Sequence, residues 1–492
     1  MRLLKRGFAL VICAVMLLCC VACASGYKKA RIYLNLPDIP KNLDPQTASS
    51  VSELMIVRNV YEGLLRRTHD GKIVCGVCES YEKNGLTYTF RIKENARYFD
   101  GTELFADDFV FAFTRAVSKN TGAPFVSRLF SVKNAKGIYE GTANPSSLGV
   151  EAVDKKTLKI TLAKEDEYFE STLTSSICMP CNREFFEQSV GKYGLERKYL
   201  LPNGSYYISR WNTEDFGIRL FANAEYGGSF EAENDSVFLS VTKDGTPLSV
   251  LDDKSCDISF VGSDEAAKIN KNVYTVKPFQ NICWVLTVGS GYSAEVRQSF
   301  LMSADYSVMA SSLNANYSEA GSIYPPSLNI ENGGAQGVTG YNIGAAQNMF
   351  SNAVKDMSGQ QFPAATLYYC DNGAVSDAVK DLVGHWQQNL CAFVNITAAK
   401  NKNLLPELKN RTLDFAVFPV YSVSGDVRDY INLFTDNDTL SPADAQKNIL
   451  ADFGIKPLFY ETTNIVCAKS VKQIFTDGYS GYIDFCYIHK DD

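Results

Sequence analysis

One uninterrupted apolar stretch, Phe8 to Leu18, sits directly behind Arg2, Lys5 and Arg6. Its eleven residues fall well short of the ~20 that carry a helix across a bilayer. A basic start followed by an apolar run of this size is the build of a secretory signal. No later stretch approaches the ~18 consecutive apolar residues of a candidate span. The rest of the chain must therefore fold outside the cytoplasm, with its apolar side chains dispersed through amphipathic elements.

Cys20-Val21-Ala22-Cys23-Ala24 follows. This resembles a bacterial lipoprotein signal, which implies removal of residues 1–22, a lipid on Cys23 and a short tether over 23–30. An uncleaved anchor or an ordinary cleaved signal is the plainer reading of the same residues. Two acyl chains, at ~0.8 kcal/mol per buried CH₂, make a lasting anchor. That suits a receptor serving a membrane partner on the outer face of the cytoplasmic membrane or in the periplasm. Loss of Arg2, Lys5 and Arg6 removes three positive charges and takes the formal charge from −7 to −10.

At roughly 100–200 residues per domain, 492 residues leave room for two to four domains. Apolar residues at 46% and charged residues at 21% belong to a folded globular chain. The acidic balance argues against a nucleic-acid surface. His69, His385 and His489 are the whole supply of histidine, too few for a His-rich metal site or a His-driven hydrolase. Neither Gly-x-Ser-x-Gly nor His-Glu-x-x-His occurs. No catalytic residue, metal or cofactor is therefore expected. The 27 Tyr and 29 Phe suit large cores and aromatic-lined clefts.

Periodicity organises the body. Arg31–Leu36, Thr87–Lys93, Tyr206–Trp211 and Ile218–Phe221 alternate as strands do, and Val150–Leu162 reads as two strands about Asp154-Lys155. Val51–Leu65 and Ala106–Ala116 read as helices, the second with Asp107 and Asp108 in its first turn, where the dipole favours them. Beyond Cys283 strands and helices alternate. Ser376–Gln388 is an amphipathic helix with Ser376 as its expected N-cap, followed by the strands Ala392–Thr397 and Phe415–Pro419. The class is mixed α/β. Tyr61 and Phe109 are expected in the core, and Gly101 and Gly204 in tight turns.

An ordered set of motifs runs through this frame: Leu43-Asp44-Pro45; Asn59 to Leu64; Gly85 to Arg91, continuing through Phe99-Asp-Gly-Thr102 to Ala106-Asp-Asp-Phe109 and Arg115; Gly149-Val150; Thr157-Leu158; Pro202 to Tyr206; Val296-Arg-Gln298; Trp386 to Leu390; and Gly481 to Ile488. Together they resemble the extracellular solute-binding proteins of peptide ABC importers, the oligopeptide-binding group of solute-binding family 5. The resemblance implies a two-lobed, periplasmic-binding-protein-like α/β fold of the large class II type. The first lobe is expected from residues 31–52, 168–275 and 462–492, an inserted subdomain at 53–167 and the second lobe at 276–461. Two hinge crossings are expected near Gln280–Trp284 and Tyr460–Asn464. Ligand contacts to both lobes would favour the closed form by population shift, and a membrane permease would read it. The chain is expected to act as a monomer, with a peptide or other small solute as partner.

The same resemblance implies two ligand-facing segments. Ser49 and Val51 would offer side chain and backbone from the first lobe. In the second lobe, Tyr421 falls at the usual aromatic, Val423 at the carboxylate that would hold a peptide ammonium, and Asp426 at a second carboxylate. Val423 cannot pair with an ammonium, and Asp426 or Asp429 is a candidate substitute. Otherwise the ligand lacks a free N-terminus or is not a peptide. A metal chelate, an opine or a sugar on the same scaffold is the alternative, as is a signalling or structural lipoprotein that has lost transport. Trp284 is the remaining candidate pocket aromatic, with lobe core as its plainer reading. Main-chain pairing, as in strand addition, would make peptide recognition sequence-tolerant.

Ten cysteines follow the signal region. Cys75/Cys78 and Cys178/Cys181 have C-x-x-C spacing. Their separation is too long for a usual four-Cys zinc site, and a structural disulfide in an exported protein is the favoured expectation.

Overall fold

The computed structural model describes residues 30–491, apart from 213–216, 243–245, 253–254, 329, 331–337, 358–360, 371–372, 400–404, 423–425, 436–439, 453 and 477–480. The expected signal segment, Cys23 and Val423 lie outside the described residues. Among the described residues no helix is long and apolar enough to cross a membrane.

The chain opens on β1 (Arg31–Asn35). A ribbon of β2 (Leu65–Arg67) and β3 (Ile73–Cys75) leads into β4 (Cys78–Asn84), β5 (Thr87–Ile92), β6 (Val150–Asp154) and β7 (Thr157–Thr161). Then come β8 (Tyr206–Asn212), β9 (Gly217–Ala222), β10 (Ser236–Ser240), β11 (Ile258–Val261) and the long β12 (Tyr274–Val288). β13 (Tyr317–Glu319), β14 (Ala365–Cys370), β15 (Val394–Ala399), β16 (Phe415–Tyr421) and the long β17 (Ile455–Ala468) follow. The longer helices are α1 (Val51–Val60), α2 (Ala106–Val117), α3 (Ala294–Ser303), α4 (Ile343–Lys355), α5 (Ala374–Leu390) and α6 (Pro442–Ala451).

Eleven strands form one sheet in the order β15-β14-β16-β12-β17-β11-β1-β10-β9-β8, with β13 added on β17. β4, β5, β7 and β6 make a separate antiparallel sheet. β12 and β17 pair antiparallel along most of their length. One side of this pair carries the strands of the first lobe, and the other carries β16, β14 and β15. The two lobes are thus joined through two long strands. The ladder slips between Gln280 and Ile282 and again between Trp284 and Val285, where extra residues bend and twist a strand.

Burial separates the lobes. β1, α1, β8 to β10 and the Ile483–Ile488 segment share one core. The separate sheet and α2 enclose a second, running from Leu64 to Cys178 with Leu201. Two further cores cover the two faces of the second-lobe sheet. The insert core begins at Leu64 rather than at 53, because α1 buries Leu54, Met55, Ile56 and Val57 in the first lobe. The helix read as Val51–Leu65 stops at Val60, and Leu65 starts β2.

Two local expectations give way. Gly373, not Ser376, caps α5, and the Ser376 hydroxyl lies 3.1 Å from that of Tyr369. Gly204 has no positive φ. A Cβ there would stand 2.8 Å from the Val60 carbonyl carbon, and its N–H donates to Val60 O, so close backbone approach fixes this glycine. Gly101 does hold a positive φ of 87°, which a residue without Cβ adopts freely. Tyr61 and Phe109 are fully buried, as expected.

Candidate functional site

The segment that holds Ser49 and Val51 is organised by the N-terminus of α1. The Ser50 hydroxyl accepts from the Glu53 N–H at 3.2 Å. Glu53 returns the contact, accepting from the N–H groups of Ser49 and Ser50 at 3.0 and 3.1 Å and from those of Lys41 and Asn42 at 2.9 Å. This capping box fixes a loop that would otherwise leave several donors open. Asp38 adds to it, accepting from the Ser50 hydroxyl at 2.5 Å and the Ser52 N–H at 3.2 Å. Ser49 is exposed and Val51 half-buried. The Ser49 N–H is already engaged, so its side chain and carbonyl are what it offers.

Tyr421 ends β16 in the second lobe and is 39% exposed. Burial, then the neighbouring charges of Cys370 and Asp38, push its phenol above the ordinary range. Asp38 belongs to the first lobe, so Tyr421 stands within electrostatic reach of the segment holding Ser49 and Val51.

Further along the cleft, two arginines cross between the insert and the second lobe in opposite directions. Arg128, in the turn Val126–Leu129, donates to Asp429 of the second lobe. Arg428 donates from the second lobe to the Thr172 hydroxyl and pairs with Asp166 at 3.5 Å, both in the insert. Arg428 also grips Asp426 on its own side, at 2.7 Å through Nη2 and 3.1 Å through Nε. Asp429 accepts in addition from Ser422 at 2.8 Å. Arg128, Arg428, Asp426 and Asp166 are all buried. Burial alone would raise the Asp426 carboxyl, but Arg128 and Arg428 outweigh it and hold it down at about 2. Phe125 and Tyr168 lie under the guanidinium groups of Arg128 and Arg428, at 4.8 and 5.4 Å.

Beside this seam the insert and second lobe enclose a cleft of about 570 Å³. Its lining includes Arg128, Lys136, Lys164, Lys409 and Arg428, with Glu140 as the carboxylate among the lining residues. A chain with an acidic total thus turns a basic wall into this cleft.

Ser49 and Val51 lie at the start of α1 in the first lobe and Tyr421 at the end of β16 in the second, with Asp38 acting on Tyr421 across the two. Asp426 lies at the insert–second-lobe seam with its carboxylate already matched. Trp284 is 3% exposed, packs 5.9 Å from Phe459 and donates through Nε1 to Glu461 at 2.8 Å. Its alternation along β12 turns it into the second-lobe core. Arg128, Asp166, Thr172 and Arg428 were not signalled by any motif, because their partners lie hundreds of positions away. The C-x-x-C pairs divide: Cys75 and Cys78 form a disulfide, while Cys178 and Cys181 are buried thiols pushed up to about 12 by burial. Among the described residues no group of three or more His, Cys, Asp or Glu could hold a metal ion.

Comparison with known proteins places this geometry. Residues 72–441 match the family described as bacterial extracellular solute-binding proteins, family 5 middle. The chain is 34% identical over 184 residues to the periplasmic murein peptide-binding protein MppA of Escherichia coli, a match covering 37% of this chain and 34% of that one. The aligned part thus spans about a third of that curated relative. By structure, Listeria monocytogenes OppA bound to peptide superposes with a TM-score of 0.75 at 19% identity, over 95% of this chain and all of that one. The Escherichia coli murein tripeptide-binding protein MppA gives 0.74 at 20% identity, over 95% of this chain and 99% of that one. The unliganded open form of MppA gives 0.67, at 20% identity over 94% and 98%.

Proposed function

This chain belongs to the bacterial extracellular solute-binding proteins of family 5, and we propose that it captures peptides between its lobes and delivers them to a membrane ABC transporter. The observation that carries the reading is that a relative by sequence and a neighbour by fold are both peptide-binding proteins. One sequence relative is a murein peptide-binding protein, and the fold matches, over nearly the whole chain, a binding protein solved with peptide. Ser49 and Val51 meet the ligand from the first lobe and Tyr421 from the second. Asp426 would reach a ligand ammonium only by giving up Arg428. Val423 lies outside the described residues. The lobes open about β12 and β17, where the ladder slips at Gln280/Ile282 and Trp284/Val285. The ligand contacts both lobes together only when they close, so it stabilises the closed form.

The reading includes a lipid anchor on Cys23, a place on the extracytoplasmic face of the membrane, a monomer, and binding without chemistry. Native mass spectrometry of the purified protein tests it. Short peptides released on denaturation are the expected result. A different small molecule in their place would overturn the peptide assignment and leave the fold intact.

A further inference from the structure

Asp426 and Asp429 are hydrogen-bonded by arginines from within the protein, while Asp166 holds one oxygen on the Tyr168 N–H at 2.9 Å and the other in an ion pair without a hydrogen bond. Asp429 receives Arg128 from the insert. Asp426 receives Arg428 from its own lobe. Asp166 faces Arg428 across the seam. The arginine side chains are 1% and 4% exposed, and those of Asp426 and Asp166 are 4% exposed. Moving the insert away from the second lobe must break Arg128–Asp429 and both Arg428–Asp166 and Arg428–Thr172. Arg428–Asp426 would travel with the second lobe. The rest of the cleft lining holds Lys136, paired with Glu140 at 3.9 Å, together with Lys164 and Lys409. A positive ligand group entering here would meet carboxylates whose charge an arginine already balances and a lining rich in its own sign.

The geometry points to Arg128 and Arg428 acting in place of a cationic ligand group: they tie the insert to the second lobe themselves, and leave this end of the cleft to solutes that are uncharged or anionic there. This rests on the solute-binding reading for its ligand consequence, but the tie itself needs no ligand. An uncompensated carboxylate in a buried seam is strongly disfavoured, so removing either arginine should open the seam as well as weaken it.

Small-angle scattering of the full chain without added ligand tests the tie. Arg428→Met and Arg128→Met are expected to raise the radius of gyration and broaden the distance distribution relative to wild type. An unchanged profile in variants that keep wild-type circular dichroism would overturn the proposal. Arg428→Lys and Asp166→Asn break the same seam with smaller change, and decide the matter if the Met variants do not fold. A second arm uses a mixed tripeptide pool in free and N-acetylated forms. Wild type is expected to bind the acetylated pool at least as tightly as the free one, and Arg428→Met to shift at least tenfold toward the free ammonium. A tenfold wild-type preference for the free ammonium would overturn the proposal. Failure of wild type to bind either pool counts against the peptide reading instead, and the scattering result then decides the tie.

Discussion

Arg115 shows what a motif residue does before any question of ligand arises. Its guanidinium reaches back to Asp44 at 2.6 Å and to Gln46 at 2.6 Å and lies 4.0 Å over Phe186. Two motifs seventy-one positions apart are therefore the halves of one buried ion pair, joining α2 to the loop before α1. Arg115→Met strands the Asp44 carboxylate in the interior and should cost ~3–5 kcal/mol of stability, read from urea unfolding midpoints. Lys456 is a second buried cation, giving two protons to the carbonyls of Leu301 and Ala304 at the end of α3, at 2.8 and 2.6 Å. Burial, against the opposing pull of Asp305 and Glu319, lowers its ammonium from 10.5 to about 8. The unfolded chain then holds more protons between about pH 8 and 10.5, so the contribution of Lys456 to stability rises with pH across that window. The stability of wild type relative to Lys456→Met should increase from pH 8 to pH 10 in paired thermal melts. A flat difference would contradict the lowered value.

At the scale of elements, local signals placed most of the strands and helices. The alternation of Thr87–Ile92 survives as burial of Tyr88, Phe90 and Ile92 on one face of β5. Ser50 and Glu53 close a capping box at the start of α1. The signal failed where tertiary contact overrode pattern. The helix read as Val51–Leu65 runs past its end: Tyr61 leaves helical geometry at φ −113° and ψ 156°, and Gly204 closes on Val60. Spacing could not tell the C-x-x-C pairs apart. Cys75 and Cys78 are brought together where β3 meets β4, whereas Cys181 sits against Arg115 at 3.3 Å. Cys75→Ser with Cys78→Ser should cost about 2 kcal/mol by the loop-entropy estimate for so short a ring, read by denaturant titration with and without reductant.

At the scale of the molecule, β12 and β17 make the sheet continuous while the side-chain cores remain separate. That combination allows the lobes to move about two strands without either core being broken. A bound ligand adds its own stabilisation to the closed form. A peptide at a hundred times its Kd should raise the unfolding free energy by about 2.7 kcal/mol, seen as a concentration-dependent rise in Tm. A pool that leaves Tm unmoved up to millimolar concentration would speak against peptides as the cargo. The arginine seam is also a whole-molecule property, since Arg128 and Asp429 stand 301 positions apart.

The sequence by itself determined what depends on neighbours in the chain: the apolar segment at its start, the mixed α/β elements, the acidic composition and the ordered motifs that give the family. These follow from periodicity, capping and turn chemistry, which act over a few residues. The tertiary structure alone decided which charges meet and which aromatics are buried. Trp284 turned into a core, Asp426 was taken by Arg428, and two arginines came to bridge the lobes. Chain folding sets those distances, and an electrostatic or packing contact depends on distance in space rather than position in sequence.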